Sequence, residues 1–214
     1  LAAGIATRDE DSEIFDAVLD LIQTRYVPVR NYVYAGGAYH QGGSYVTARF
    51  GNDLTAMWML SKIGMGNIFD SKIKDVAYEM IYRYRPDGQV LPNGDMNPNR
   101  RLNTRSYAWI GMLAGSYFHD QYLQWMYDLD PDIENHCVML DLLWHDFNLQ
   151  SRKPDSNLPL VRYFGTPYGW NIARTSWDDN AVIAEMKVGE KFFGNHQHAD
   201  AGSFQIYSKE PLAI

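Results

Sequence analysis

Apolar residues recur at helical intervals through the first two thirds of the chain. Between Asp9 and Arg25 they fall at Ile14, Phe15, Val18, Leu21 and Ile22. That is close to the i, i+3, i+4, i+7, i+8 spacing that gives a helix one apolar face. A second helix is predicted from Ser44, a capping residue type, to about Lys62, with Ala48, Leu54, Met57, Trp58 and Leu60 as its apolar mass. A third starts at Ser71 and carries Ile73, Val76, Ala77, Met80 and Ile81 on one side. Thr104 to Phe118, Asp120 to Tyr127 and Pro131 to Trp144 follow, the last with proline at a helix start. Short clusters of Gly, Pro, Asn and Asp separate these segments.

The texture changes at Leu158. Leu160 to Phe164, Trp170 to Ser176, Ala181 to Val188 and Ser203 to Ser208 alternate, or carry β-branched and aromatic residues, and turn signals bound them at Thr166-Pro167, Asp178-Asp179-Asn180 and Gly189. Helices first and strands later predict an α+β chain rather than an α/β weave. The expected division is a helical part over 1–150, a linker over 151–157 rich in Ser, Pro, Asp and Asn, and an antiparallel sheet over 158–214. Leu1 to Ile5 reads like a helix already under way, and Pro211 to Ile214 like a strand beginning. An internal fragment of a longer protein is therefore expected.

Composition narrows the classes. Hydrophobic residues at 46% and charged residues at 21% exclude a disordered chain. A net charge of −7 disfavours nucleic acid as a partner, although a local cluster can still hold an anion. Aromatics reach 14%, which suits stacking against a flat ligand such as a sugar ring and equally suits an aromatic core. Cys137 is the single cysteine, so neither a disulfide framework nor a thiolate metal cluster is available. No run approaches the ~20 apolar residues of a membrane span, so no membrane association is expected.

Three segments carry candidate chemistry. Arg83 to Arg105 is a long turn-rich stretch with Arg85-Pro86-Asp87-Gly88 and Leu91-Pro92-Asn93-Gly94-Asp95, read either as a functional loop or as a plain hairpin excursion. Asn195-His196-Gln197-His198 places two imidazoles at i and i+2, on one side if the backbone is extended. That suits a metal pair, or one ligand beside one catalytic ring, with Asp200 available to orient a ring; ordinary histidines before a strand fit as well. In Gly42-Gly43-Ser44-Tyr45, a cap at Ser44 puts Tyr45 in the first helical turn and Arg49 four residues on, along the same face. A guanidinium and a helix N-terminus both favour phenolate, which would let a tyrosine exchange protons; a purely structural Tyr–Arg pair has the same spacing.

Taken together, Tyr39 to Asn52, the Arg85-Pro86-Asp87-Gly88-Gln89 loop, Tyr163 to Arg174 and Asn195-His196-Gln197-His198 through Tyr207 resemble the heparinase II/III family of polysaccharide lyases. The resemblance runs in order over nearly the whole chain. It implies part of an incomplete (α/α) toroid followed by the first strands of an antiparallel β-sandwich domain. It also implies β-elimination on uronate-containing glycosaminoglycans such as heparin and heparan sulfate. Residue by residue, it gives Tyr45 and His196 as the catalytic acid and base and places the family's arginine on Arg49; Asn195 and His40 are nominated beside Arg49 as substrate-binding groups. His198 becomes the first ligand of a structural zinc, whose other ligands are expected after Ile214. The family's upstream Asn-His pair and glutamate are not in this sequence, and Asp200 does not stand where the family's zinc aspartate would. The resemblance further implies a periplasmic location and an acidic polysaccharide as partner, and it admits a homodimer.

The chemistry of elimination needs three acts. The uronate carboxylate must be neutralised, the C5 proton removed and the leaving oxygen protonated. Asn195 can donate to the carboxylate, His196 can serve as base, and Tyr45 can donate to the leaving oxygen or take the proton itself. Arg49 can hold Tyr45 and an anionic sugar group, because its fork matches carboxylate and sulfate geometry. Other readings are a non-catalytic glycan-binding protein of the same fold, a lyase for another acidic polysaccharide such as alginate, or a hydrolase. The hydrolase would need two flanking carboxylates, for which Asp87 and Asp95 are the nominees.

Overall fold

A computed structural model describes residues 1–97, 99–102, 104–130 and 138–213. Helix α1 spans Ala2–Thr7 and α2 spans Glu13–Leu21; a π-helical turn at Ile22–Tyr26 leads directly into α3 at Val27–Tyr34. The sequence pattern ends this helix at Arg25, and the structure carries it to Tyr34. Pro28, in the first turn of α3, has no N–H to give the preceding turn, and the chain widens into the π turn just before it instead of stopping. Asp9 to Ser12, which the pattern places in the helix, lies before its first turn.

The long helix α4 runs Gly43–Lys62, α5 Ile73–Arg83, α6 Arg105–Phe118, α7 Gln121–Asp128 and α8 Val138–Trp144. The predicted start of the last helix, Pro131 to Cys137, lies outside the described residues. Asp120 caps α7 by accepting from the backbone N–H groups of Tyr122 and Leu123. Ser44 does not cap α4: the cap position is Gly42, and Ser44 falls inside the first turn. Tyr45 still sits in that turn, where its N–H donates to the Gly42 carbonyl at 3.1 Å.

Five strands follow: β1 Val161–Phe164, β2 Trp170–Arg174, β3 Val182–Lys187, β4 Phe204–Ser208 and β5 Glu210–Ala213. They form one antiparallel sheet in sequence order. Its inner face packs against the helices, and one apolar core takes in Phe50, Leu54, Ile81 and Leu113 from the helices with Phe164, Trp170, Ile172 and Ile183 from the sheet. The alternation of β3 is inverted relative to polarity. Ile183 is fully buried, so Glu185 and Lys187 share its face and are buried as well, while Met186 is exposed. The buried charges are compensated. Arg83 of α5 lies between Glu79 and Glu185, donating to Glu185 Oε1 at 2.9 Å, and stands over the Trp170 ring; Lys187 pairs with Asp200.

Between α5 and α6, the described residues form no strand of their own and are bridged at Tyr84–Val90 and Gln89–Arg101. Three contacts pin the part that matters most. Leu91 exchanges hydrogen bonds with Arg83, its N–H donating to the Arg83 carbonyl and its carbonyl accepting from the guanidinium, and the Gln205 side chain of β4 donates to the Pro92 carbonyl. No helix of the described residues is long and apolar enough to cross a membrane.

Candidate active site

The N-terminus of α4, the 91–96 loop and the 195–198 segment meet at one place. Gly42 makes the meeting possible. It sits at φ 82° and ψ 171°, a backbone region reserved almost wholly for glycine, and a Cβ there would come within 2.2 Å of the Asn93 carbonyl oxygen. Gly43 is equally confined, since a Cβ would strike Met96 Sδ at 2.2 Å. The loop therefore lies directly against the start of the helix that presents Tyr45.

Tyr45 and His196 come together here. Their rings stack with centroids 3.6 Å apart and planes 20° from parallel. Two groups that act on one sugar residue are expected to leave room for its ring between them. The structure brings them face to face instead, so a sugar can reach both only along their shared edge. Arg49 lies on the same face of α4, its guanidinium carbon 4.9 Å from the centre of the Tyr45 ring, and it donates to Gln41 Oε1. Gln41 also accepts from the Tyr39 hydroxyl at 2.7 Å. Gln41 thus fixes the cation that covers Tyr45, a role the spacing of residues did not suggest.

Asp95 holds both histidines. Its Oδ2 lies 2.5 Å from His196 Nδ1 and its Oδ1 3.1 Å from His198 Nε2. Those hydrogen bonds, the one from His196 first, hold the Asp95 carboxyl below the usual carboxylate range. An ionised carboxylate only accepts, so each ring presents an N–H to it, and His196 keeps Nε2 for other work. The two imidazoles do share a side, but not through an extended strand: Asn195 and His196 form a turn with Asn195 at φ 58°, and β4 begins only at Phe204. Asp200, expected to orient a ring, is spent on Lys187, and the carboxylate at the rings comes from the 91–96 loop.

Asn195 is exposed beside His196, open to an incoming ligand. His40 is buried at 7% exposure, parallel to Tyr168 at 5.5 Å and hydrogen-bonded through Nδ1 to the Tyr168 hydroxyl at 3.1 Å. Burial first, then the charges of Arg30 and Arg49, push its pKa down to about 4, so it is neutral at pH 7. It belongs to an aromatic wall with Tyr39, Tyr168 and Phe193. Next to that wall opens a polar pocket of about 270 Å³, lined by Tyr168, Trp170, Lys187, Lys191, His198 and Asp200.

Of the zinc ligands that the family resemblance implies, His198 alone is expected within this sequence. Among the described residues no three His, Cys, Asp or Glu side chains gather to hold a metal ion, and His198 Nε2 faces Asp95. The nominated hydrolytic pair is also otherwise engaged, Asp87 by Arg85 and Asp95 by the two histidines.

The helical layer closed by an antiparallel sheet is an arrangement this chain shares with a solved polysaccharide lyase. Two solved structures carry the likeness. Heparan sulfate lyase HepC from Pedobacter heparinus superposes with a TM-score of 0.58 at 18% identity, over 86% of this chain and 26% of that one. A mutant of the same enzyme gives a TM-score of 0.57 at 18% identity over the same shares. The chain thus spans about a quarter of the length of the enzyme it resembles, 26%. No family model and no curated protein matches the sequence.

Proposed function

We propose that this chain forms part of a heparinase II-like polysaccharide lyase that cleaves uronate-containing glycosaminoglycans by β-elimination. One observation carries the reading: the Tyr45 and His196 rings stack at 3.6 Å although they come from a helix and from the sheet end of the chain. In this mechanism His196 uses Nε2, the nitrogen that Asp95 leaves over, to remove the uronate C5 proton. The Tyr45 hydroxyl protonates the leaving glycosidic oxygen, or takes the C5 proton of the other epimer. Asn195, exposed at the rim, donates to the uronate carboxylate and so makes C5 acidic enough to react. Arg49 keeps Tyr45 in place and offers its fork to an anionic sugar substituent.

The test is product chemistry. Elimination leaves an unsaturated uronate that absorbs in the near ultraviolet, so heparin, heparan sulfate and alginate are each incubated with the intact protein. New reducing ends without absorbance would mean hydrolysis, and no cleavage of any of the three would refute the reading. Tyr45→Phe keeps the stacked ring and loses only the hydroxyl. It is expected to lower turnover ~10²–10⁴-fold while substrate binding, measured by titration, stays near the parent's.

A further inference from the structure

We infer that Asp95 is the positioning residue of this site: its carboxylate sets the ring orientation and tautomer of His196, and its backbone ties the turn bearing that ring to the helix bearing Tyr45. The catalytic part of this inference rests on the reading of Tyr45 and His196 as acid and base.

Each half of the statement has its own contacts. On the side-chain half, the two carboxylate oxygens are divided between the rings, Oδ2 to His196 Nδ1 and Oδ1 to His198 Nε2. His198 therefore acts as a clamp, holding one oxygen so that the other stays aimed at His196. On the backbone half, the Asp95 N–H donates to the His196 carbonyl at 3.1 Å, and the Asp95 carbonyl accepts from the Ser44 N–H at 3.4 Å. Gly94 stands at φ 52° so close that a Cβ would lie 3.0 Å from both the His196 oxygen and the Gly42 nitrogen. An aspartate 47% exposed would ordinarily sample several rotamers, but here two histidines hold the carboxylate and two hydrogen bonds hold the backbone beneath it.

The chemical consequence follows from the imidazole. Only the tautomer with hydrogen on Nδ1 leaves a lone pair on Nε2, the atom a general base needs. Asparagine at position 95 cannot serve. It has one accepting and one donating end, so it either turns its NH2 to His196, which must then offer a lone pair on Nδ1, or gives up His198 and with it the hold that keeps its oxygen aimed at His196.

The experiment uses the intact protein and its Asp95→Asn variant. The ring nitrogens of His196 are read by NMR on 15N-histidine-labelled protein at pH 8, assigned against His196→Gln, and elimination is read by product absorbance. The parent should show His196 with hydrogen on Nδ1. The variant should show hydrogen on Nε2 of His196 or exchange between the two forms. Its kcat should fall ~10²-fold with KM changed by less than about 3-fold. A parent His196 with hydrogen on Nε2 overturns the inference without recourse to any variant, so a poorly folding Asp95→Asn does not shield it. A variant that keeps both the parent tautomer and its kcat overturns it as well. If the parent yields no unsaturated product, the lyase reading falls, while the tautomer measurement still decides what Asp95 does.

Discussion

At the scale of single residues, the chain uses the same amino acid for opposite purposes. His196 is partly exposed and faces a carboxylate, whereas His40 is enclosed by rings and receives no acid. The enclosure has a consequence for stability. The His40 pKa falls from about 6.5 in the unfolded chain to about 4 in the fold. A histidine shifted down is stabilising above its unfolded pKa, because the fold then holds the form already present. As pH drops from 6.5 towards 4 the unfolded chain binds a proton that the folded chain refuses, and stability is lost over that window. Urea denaturation at pH 7 and pH 5 should show that loss in the parent and a smaller one in His40→Phe; equal losses would mean another group titrates. Asp95 shows what the residue scale conceals in a sequence. Its place in a turn-rich loop marks it as worth nominating, but nothing local says that its two oxygens face imidazoles supplied a hundred positions later.

At the scale of elements, periodicity located the described helices and strands well, with most ends moved by one or two residues, because burying an apolar stripe is what forms them. It failed where backbone chemistry overrode pattern. The π turn ahead of Pro28 let one helix run on into the next, and the cap of α4 went to Gly42 rather than Ser44. The glycine is needed for a reason a propensity scale does not hold: the 91–96 loop passes where any side chain would be. Gly42→Ala joins two costs, a forbidden backbone region and a collision at 2.2 Å with the Asn93 oxygen. Gly64→Ala meets a positive-φ cost without a collision, since that glycine has φ 86° but nothing within 4 Å of a Cβ. Chemical denaturation should therefore show Gly64→Ala losing ~1 kcal/mol and Gly42→Ala at least ~2 kcal/mol, and the proposed elimination should fall in Gly42→Ala as Asp95 is driven from the rings. Equal losses would show that the loop yields freely and that the close approach is not what demands glycine.

At the scale of the whole molecule, the helices and the sheet are joined through charge as well as through apolar contact, and this was the part least legible in the sequence. Alternation along β3 would turn Met186 inward and Glu185 outward, but the parity set by Ile183 does the reverse. Glu185 is then tolerable only because Arg83 arrives from α5, which also carries Glu79. Burial raises the pKa of both glutamates, opposed chiefly by the Arg83 charge; Glu185 is also eased by Lys187, itself paired with Asp200. An acid shifted upward stabilises the fold fully below its unfolded pKa, and that contribution is lost as pH rises through the folded value. Arg83→Met removes the main opposing charge and leaves two carboxylates facing one another in the core. It should destabilise by ~3–5 kcal/mol near pH 7. Its loss relative to the parent should shrink as pH is lowered from 7 to 5, the direction in which acids shifted upward take up protons. Adding Glu79→Gln and Glu185→Gln to Arg83→Met should recover much of the deficit at pH 7, because neutral amides need no buried counter-ion. Melting curves for the parent, the single variant and the triple variant at both pH values provide the measurement. A single variant equally destabilised at pH 5 and pH 7 would mean that the guanidinium acts through its packing on Trp170 and its bond to the Leu91 carbonyl, and not through its charge.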